Sequence, residues 1–339
     1  VESRALTIDD IPLCGLSCLF LTIPQTPCPL SDYACQCQNA NLAHTLPACL
    51  LANCTMADNL NTAKVQRDLC QLSNESRQHE VYIYTITTYT IATFCVILRL
   101  IGRVVTNKLA YDDYIIITAL LLTTIPFGVV LKMAGIGFGE HLWNLEHGQL
   151  LSNLRFFYIA WAIYTVVLGL TKISLIIFYL EIFSTKRARL ASYTLLGYIS
   201  ITSSTLLFLS IFNCTPVRAF WDRDVKHARC LDINAIAYVN SGSAIAQDVV
   251  LLVLPLLCIS KLDIKRARKV AVGVMFGIGT LGCIATIVRL HTLVILKSTI
   301  DPTWDYVPVT VWTEIELACC FVCVSLPAIR VLLLRIMPK

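Results

Sequence analysis

Seven stretches of this chain stay apolar for more than twenty residues each: 81–102, 112–133, 153–183, 190–212, 236–259, 270–296 and 307–334. A helix rises about 1.5 Å per residue and the hydrocarbon core of a bilayer is about 30 Å thick, so every run is long enough to cross. Backbone polar groups in lipid must be satisfied within the segment, which makes each run a helix. An all-α, seven-helix transmembrane bundle is therefore expected over residues 81–335. Only 14% of the 339 residues are charged, against about 25% in soluble domains.

Lysine and arginine in the loops set the orientation. One set of connections holds thirteen: Arg103, Lys108, Lys186, Arg187, Arg189, Lys261, Lys265, Arg266, Arg268, Lys269, Arg330, Arg335 and Lys339. The opposite set holds seven: Lys132, Arg155, Arg218, Arg223, Lys226, Arg229 and Lys297. The first set is expected on the cytoplasmic side, which puts the N-terminus outside in a multi-pass plasma-membrane protein with the lipid bilayer as its partner.

The segment before the first run is of a different kind. Eight cysteines crowd into residues 14–70, namely Cys14, Cys18, Cys28, Cys35, Cys37, Cys49, Cys54 and Cys70. A dense, even set in a short segment reads as a disulfide framework made in an oxidising compartment. A zinc site would be expected to show CxxC pairs, and none occurs here. A small disulfide-stapled extracellular domain is thus expected over 1–72, with SNESRQHE (73–80) as linker. Cys214 and Cys230 could close a fifth bridge across the loop 213–235. Asn53, Asn74 and Asn213 each begin an N-x-[ST] sequon, expected on exported surfaces. The opening at Val1 without a signal peptide fits a mature exported chain, and the end at Lys339 fits a trimmed cytoplasmic tail.

Ionisable groups inside membrane helices are costly and usually pair in the bundle interior. Here they are Arg99, Lys172, Asp248, Arg289, Glu314 and Glu316. Arg289 lies at a depth similar to that of Glu314 and Glu316, and a pair with one of them is expected. Lys172 and Asp248 are expected to form a second pair. Such pairs either orient helices or line a ligand pocket. The seventh run contains no lysine, so a retinal Schiff base is not expected. No GxSxG, HExxH or phosphate-binding loop occurs, which argues against an enzyme. The glycines at 135, 137 and 139 read as a flexible outer loop. KLDIKRARK (261–269) beside a membrane helix reads as a positive-inside or partner-docking segment, not as a nucleic-acid site.

The N-terminal spacing C-x3-C-x9-C-x6-C-x-C-x11-C-x4-C-x15-C, with Asp32 between the third and fourth cysteines, resembles the CFEM domain of fungal surface proteins. YDDY (111–114), LTKISLIIFYLEIF (170–183), NCTPVRAFWDRD (213–224), IVRL (287–290) and WTEIELACC with LPAIR (312–330) resemble the fungal rhodopsin-like membrane domain. Together the two resemble the CFEM-bearing, Pth-type seven-helix receptors of filamentous fungi. The resemblance implies pairs Cys14–Cys54, Cys18–Cys49, Cys28–Cys35 and Cys37–Cys70. It further implies a receptor sensing an extracellular or host-surface ligand and signalling to a heterotrimeric G protein or another cytoplasmic signalling protein. The chain lacks D-R-Y at the end of the third helix, where it reads YLEIF, and lacks N-P-x-x-Y in the seventh.

Asp32 has two readings. In haem-binding CFEM proteins an acid in this position is the axial ligand of ferric iron, with walls here from Leu13, Leu16, Leu19, Phe20, Leu30 and Leu46. That reading carries the alternative function of haem or ferric-iron acquisition on a membrane anchor. Aspartate is an uncommon haem ligand, and Asp32 in PLSD equally suits a helix N-cap. His44 and His79 read as surface residues.

Overall fold

A computed structural model of the protein describes residues 10–29, 32–107, 109–182, 185–259, 266–295 and 301–336. Leu30 and the basic positions 108, 261, 265, 297 and 339 lie outside the described residues.

The N-terminal domain consists of four short helices: α1 (Leu13–Thr22), α2 (Tyr33–Gln38), α3 (Ala40–Asn53) and α4 (Met56–Cys70). Each of the last three starts at a side chain able to accept from the first turn's free N–H groups. Asp32 accepts from Cys35 N at 3.0 Å, Asn39 from Asn41 N and Leu42 N at 3.0 and 3.1 Å, and Thr55 from Asp58 N at 3.2 Å. The interior is small: Cys18, Ile23, Leu42, Leu46 and Leu50 form the buried cluster. A domain this short buries too little apolar surface to be stable on that basis alone, and disulfides supply the remainder. Cys14–Cys54, Cys18–Cys49, Cys28–Cys35 and Cys37–Cys70 are bonded. Replacing Cys18 and Cys49 together by alanine is expected to cost about 2–5 kcal/mol, read as a lowered melting temperature of the full chain.

Seven long helices follow: α5 (Gln78–Val105), α6 (Tyr111–Gly135), α7 (Gln149–Ile182), α8 (Lys186–Ile211), α9 (Ile233–Ile259), α10 (Arg266–Ile295) and α11 (Pro302–Ile336). All seven are long and apolar enough to cross a membrane. Most run several residues past the apolar stretch that nucleates them, because a helix continues into polar turns beyond the hydrocarbon. Large apolar side chains such as Phe94, Ile201 and Phe208 face outward, the arrangement that suits lipid as the surrounding solvent. Between α8 and α9, the two-residue strands β1 (Cys214–Thr215) and β2 (Arg229–Cys230) pair antiparallel, with Cys214 opposite Cys230 and bonded to it.

The bundle core packs Ala92, Val96, Ile116, Val167, Phe321 and Val324. Helices α5 and α11 approach so closely that a Cβ on Gly102 would lie 2.8 Å from the carbonyl oxygen of Ala328. At the end far from the N-terminal domain, an ion cluster fastens three helices. Arg99, fully buried, donates Nε to Asp113 Oδ1 at 2.8 Å, and its two other nitrogens to Asp112 and to the Val324 carbonyl. Arg103 adds a 2.9 Å bond to Asp112 and lies 3.7 Å from Glu181.

Candidate functional site

Inside the bundle, α7, α9, α10 and α11 bring charged residues to one depth. Glu316 is the hub. It accepts from Tyr164 Oη at 2.9 Å and Thr286 Oγ1 at 2.9 Å, with Arg289 Nη1 at 3.5 Å. Arg289 also donates to Tyr164 Oη and, at 3.3 Å, to Ser241 Oγ. Next to this, Lys172 Nζ meets Asp248 Oδ1 at 2.8 Å and donates to Ala244 O and Gln247 Oε1. Thr286 lies within 3.5 Å of Asp248 and so touches both groups.

Glu314 is not part of that hub. Residues two apart on a helix point about 200° apart, so only one of the two glutamates can face Arg289. Glu314 turns toward α5, where Thr85 Oγ1 donates to its Oε1 at 2.8 Å. Its Oε2 is buried and has no hydrogen-bond partner among the described residues. Beside it opens a cavity of about 160 Å³ bounded by α5, α6, α7, α9, α10 and α11. The walls are mostly apolar and aromatic, with Arg289 and Glu314 as the charged members.

A seam joins the bundle to the N-terminal domain. The loop after α6 reads Gly137-Phe138-Gly139, with φ of +99° and +95° at the glycines, a backbone region that favours glycine. A flexible loop was the expectation from its glycines, but this one is tied down. Gly139 N donates to Thr303 O at 3.0 Å, and Gly139 O accepts from Arg77 N at 2.7 Å. Its short 3-10 turn, Leu142–Asn144, presents Leu142 and Leu145 to Leu60 of α4. Trp143 Nε1 donates to Ser73 O at 3.1 Å, and Met56 N donates to Asp224 Oδ1 at 2.9 Å. Burial and nearby Arg67 push the Lys64 ammonium of α4 down from its ordinary pKa, while Glu146 of the loop pulls it back up.

Asp301, at the head of α11, anchors the other side of this loop. Its Oδ2 lies 2.6 Å from His141 Nδ1, and its Oδ1 accepts from Leu142 N at 3.0 Å and Thr303 Oγ1 at 3.2 Å. His141 is sandwiched between Trp143 and Trp304, at ring separations of 4.4 and 4.0 Å. Burial raises the Asp301 carboxyl above the usual carboxylate range, and the hydrogen bond with His141 opposes that rise. Asp301→Ala strands several buried donors, each worth about 1–3 kcal/mol when orphaned. It is expected to speed hydrogen exchange at the Leu142 amide while leaving helices α7 to α9 protected.

In the N-terminal domain, Leu16, Leu19, Phe20, Leu42 and Leu46 line an apolar cup with Tyr33 at its wall. Leu13 is not in that wall and is 87% exposed. Asp32 is exposed, immediately before Tyr33, with Oδ1 capping α2. The cup has the apolar walls a porphyrin needs, and the carboxylate stands close to it in sequence. Among the described residues no group of three or more His, Cys, Asp or Glu is arranged around a metal ion. His44 and His79 are exposed. Asn53 and Asn74 are exposed sequon positions, whereas Asn213 is only 2% exposed, so its side chain offers no site for a glycan in this folded form.

Residues 98–335 match the fungal rhodopsin domain and residues 7–71 match the CFEM domain. The chain is 27% identical over 262 residues, 73% of its length, to the fugralins biosynthesis cluster protein 2 of Gibberella zeae. It is 28% identical over 57% of its length to a SAT4 family membrane protein of Emericella nidulans, and 24% identical over 60% of its length to the receptor GIN3 of Arthrobotrys oligospora. The matched stretches cover 64%, 49% and 48% of those proteins, so the chain spans about half to two-thirds of their length. No solved structure matches it.

Proposed function

Because the chain belongs to the fungal rhodopsin domain family and carries a CFEM domain, we propose that this receptor-like multi-pass membrane protein is a plasma-membrane receptor. In this reading the N-terminal domain is extracellular and engages an external cue. The observation that carries it is the seam: α4 rests on Leu142 and Leu145, the loop is pinned by Asp301, and Asp301 heads the helix that bears Glu314 and Glu316. A load on the N-terminal domain would thereby reach the polar core of the bundle. Pulling on α11 shifts Glu316 relative to Arg289, Tyr164 and Thr286, and the cytoplasmic helix ends respond. Contact there with a heterotrimeric G protein or another signalling protein completes the proposal.

The cue has an apolar character. Leu13, Phe20 and Leu21 are 87%, 60% and 64% exposed on α1, outside the seven helices long and apolar enough to cross a membrane. Exposed apolar clusters of this kind mark binding surfaces. Cells lacking the chain are expected to lose the second-messenger response to settling on an apolar surface, and re-expression to restore it. An unchanged response in the deletion strain would count against the receptor reading.

A second reading is favoured by the cup below that surface. Haem, when bound, would supply a ferric iron. Asp32 would hold the iron, and Leu16, Leu19, Phe20 and Leu46 would exclude water from the ring. Titrating the full chain with ferric haem is expected to shift the Soret band saturably, and Asp32→Ala to abolish the shift. A titration without a saturable shift returns Asp32 to its capping role and leaves the cup as a recognition surface.

A further inference from the structure

We infer that the intramembrane cavity is a binding site for a small apolar amine, whose ammonium pairs with Glu314 while its hydrocarbon or aromatic body fills the space beside α5 and α6. The inference starts from charge matching within the bundle. Arg99 and Arg103 face Asp112 and Asp113, Lys172 faces Asp248, and Arg289 faces Glu316. Glu314 has no cation within ion-pair distance among the described residues, and its Oε2 also lacks any hydrogen-bond donor. An unmatched carboxyl in the interior of a membrane bundle is costly and marks a functional position.

The cavity supplies the rest of the recognition. Tyr89, Phe127, Phe157, Trp161 and Tyr306 contribute to its walls. Aromatic faces attract cations as well as apolar groups, so the same lining suits both parts of an amphiphilic amine. Its volume of about 160 Å³ is close to that of the engineered cavity of about 150 Å³ that binds benzene, which sets the scale at one ring with a short tail. An anion is the competing ligand, since Arg289 also borders the space. Arg289, however, already has the Glu316 carboxylate and two hydroxyl partners, so its charge is matched although its Nε has no hydrogen-bond partner among the described residues. The proton balance is simple. A neutral amine meeting a protonated Glu314 takes its proton, and an ammonium meeting the carboxylate keeps it, so both routes end in the same ion pair.

The inference deepens the receptor reading but is measured without any signal, so a negative result leaves the role of the seam untouched. The probe is 2-phenylethylamine, with 2-phenylethanol and 3-phenylpropanoate as the neutral and anionic counterparts. Each is titrated against the purified full chain in lipid nanodiscs, following the melting temperature. The amine is expected to give a saturable rise larger than either counterpart gives. Glu314→Gln is expected to weaken the amine by about thirtyfold or more, the scale of losing one partner of a buried charge pair. Thr310→Phe, which fills the cavity from α11 while keeping the carboxylate, is expected to abolish binding and serves if the first variant folds poorly. Absence of a rise with the amine, equal rises with all three probes, or wild-type affinity in both variants would overturn the inference.

Discussion

Arg99→Ala is expected to be the most damaging single substitution in the bundle, costing about 3–5 kcal/mol, the range for removing one partner of a buried ion pair. The loss is this large because Asp112 and Asp113 are both fully buried and, among the described residues, would be left with Arg103 as their one cation, Asp113 keeping the Ala110 N–H as well. The carbonyl of Val324 on α11 also loses its donor. Arg99→Lys is expected to recover little, since an ammonium cannot reproduce three divergent guanidinium bonds. Thermal melts of the purified protein check this, together with the fraction reaching the cell surface. A melt within about 1 °C of wild type, far less than a loss of even 1 kcal/mol would shift it, would mean that the cluster does not hold α5, α6 and α11 together.

The second large effect lies at Glu316, and it is sharpened by its neighbour. Glu316→Ala leaves Arg289 buried without an anion and strips Tyr164 and Thr286 of their acceptor. A cost of about 3–5 kcal/mol is expected. Glu314→Ala, only two positions away, removes a single hydroxyl donor's acceptor and already-unmatched charge. The orphaned Thr85 hydroxyl costs about 1–3 kcal/mol, offset in part by relief of the unmatched carboxyl, so a loss smaller than at Glu316 is expected. Parallel melts of the two variants decide the matter: similar losses at both positions would contradict the separation of the two carboxyls into hub and pocket.

Much of this architecture is legible in the sequence because its causes are local. Seven apolar runs have only one form in lipid, and the length of each fixes the helix that contains it. The choice between Glu314 and Glu316 for Arg289 was open from depth alone; helical phase decides it, but only once the rotation of α11 is known. The Arg99 cluster was harder to see. Asp112 and Asp113 sit at the start of a run, where acids usually meet water, and nothing local shows that α6 turns them inward. The seam was not legible at all. His141 and Asp301 are 160 residues apart, and the glycines of the loop suggest mobility until the backbone conformations they permit are seen to be hydrogen-bonded. The cavity likewise depends on six helices packing imperfectly, which no single segment encodes.

The central claim is that the N-terminal domain acts on the bundle through Leu142 and Leu145. The most direct test is the second-messenger response of cells settling on an apolar surface, comparing wild type with Leu142→Asp/Leu145→Asp, a double variant that puts two carboxylates into the apolar contact with Leu60 of α4. The account predicts a response in wild type and none in the double variant, although that variant reaches the cell surface in equal amount. A double variant that responds as wild type does would contradict it.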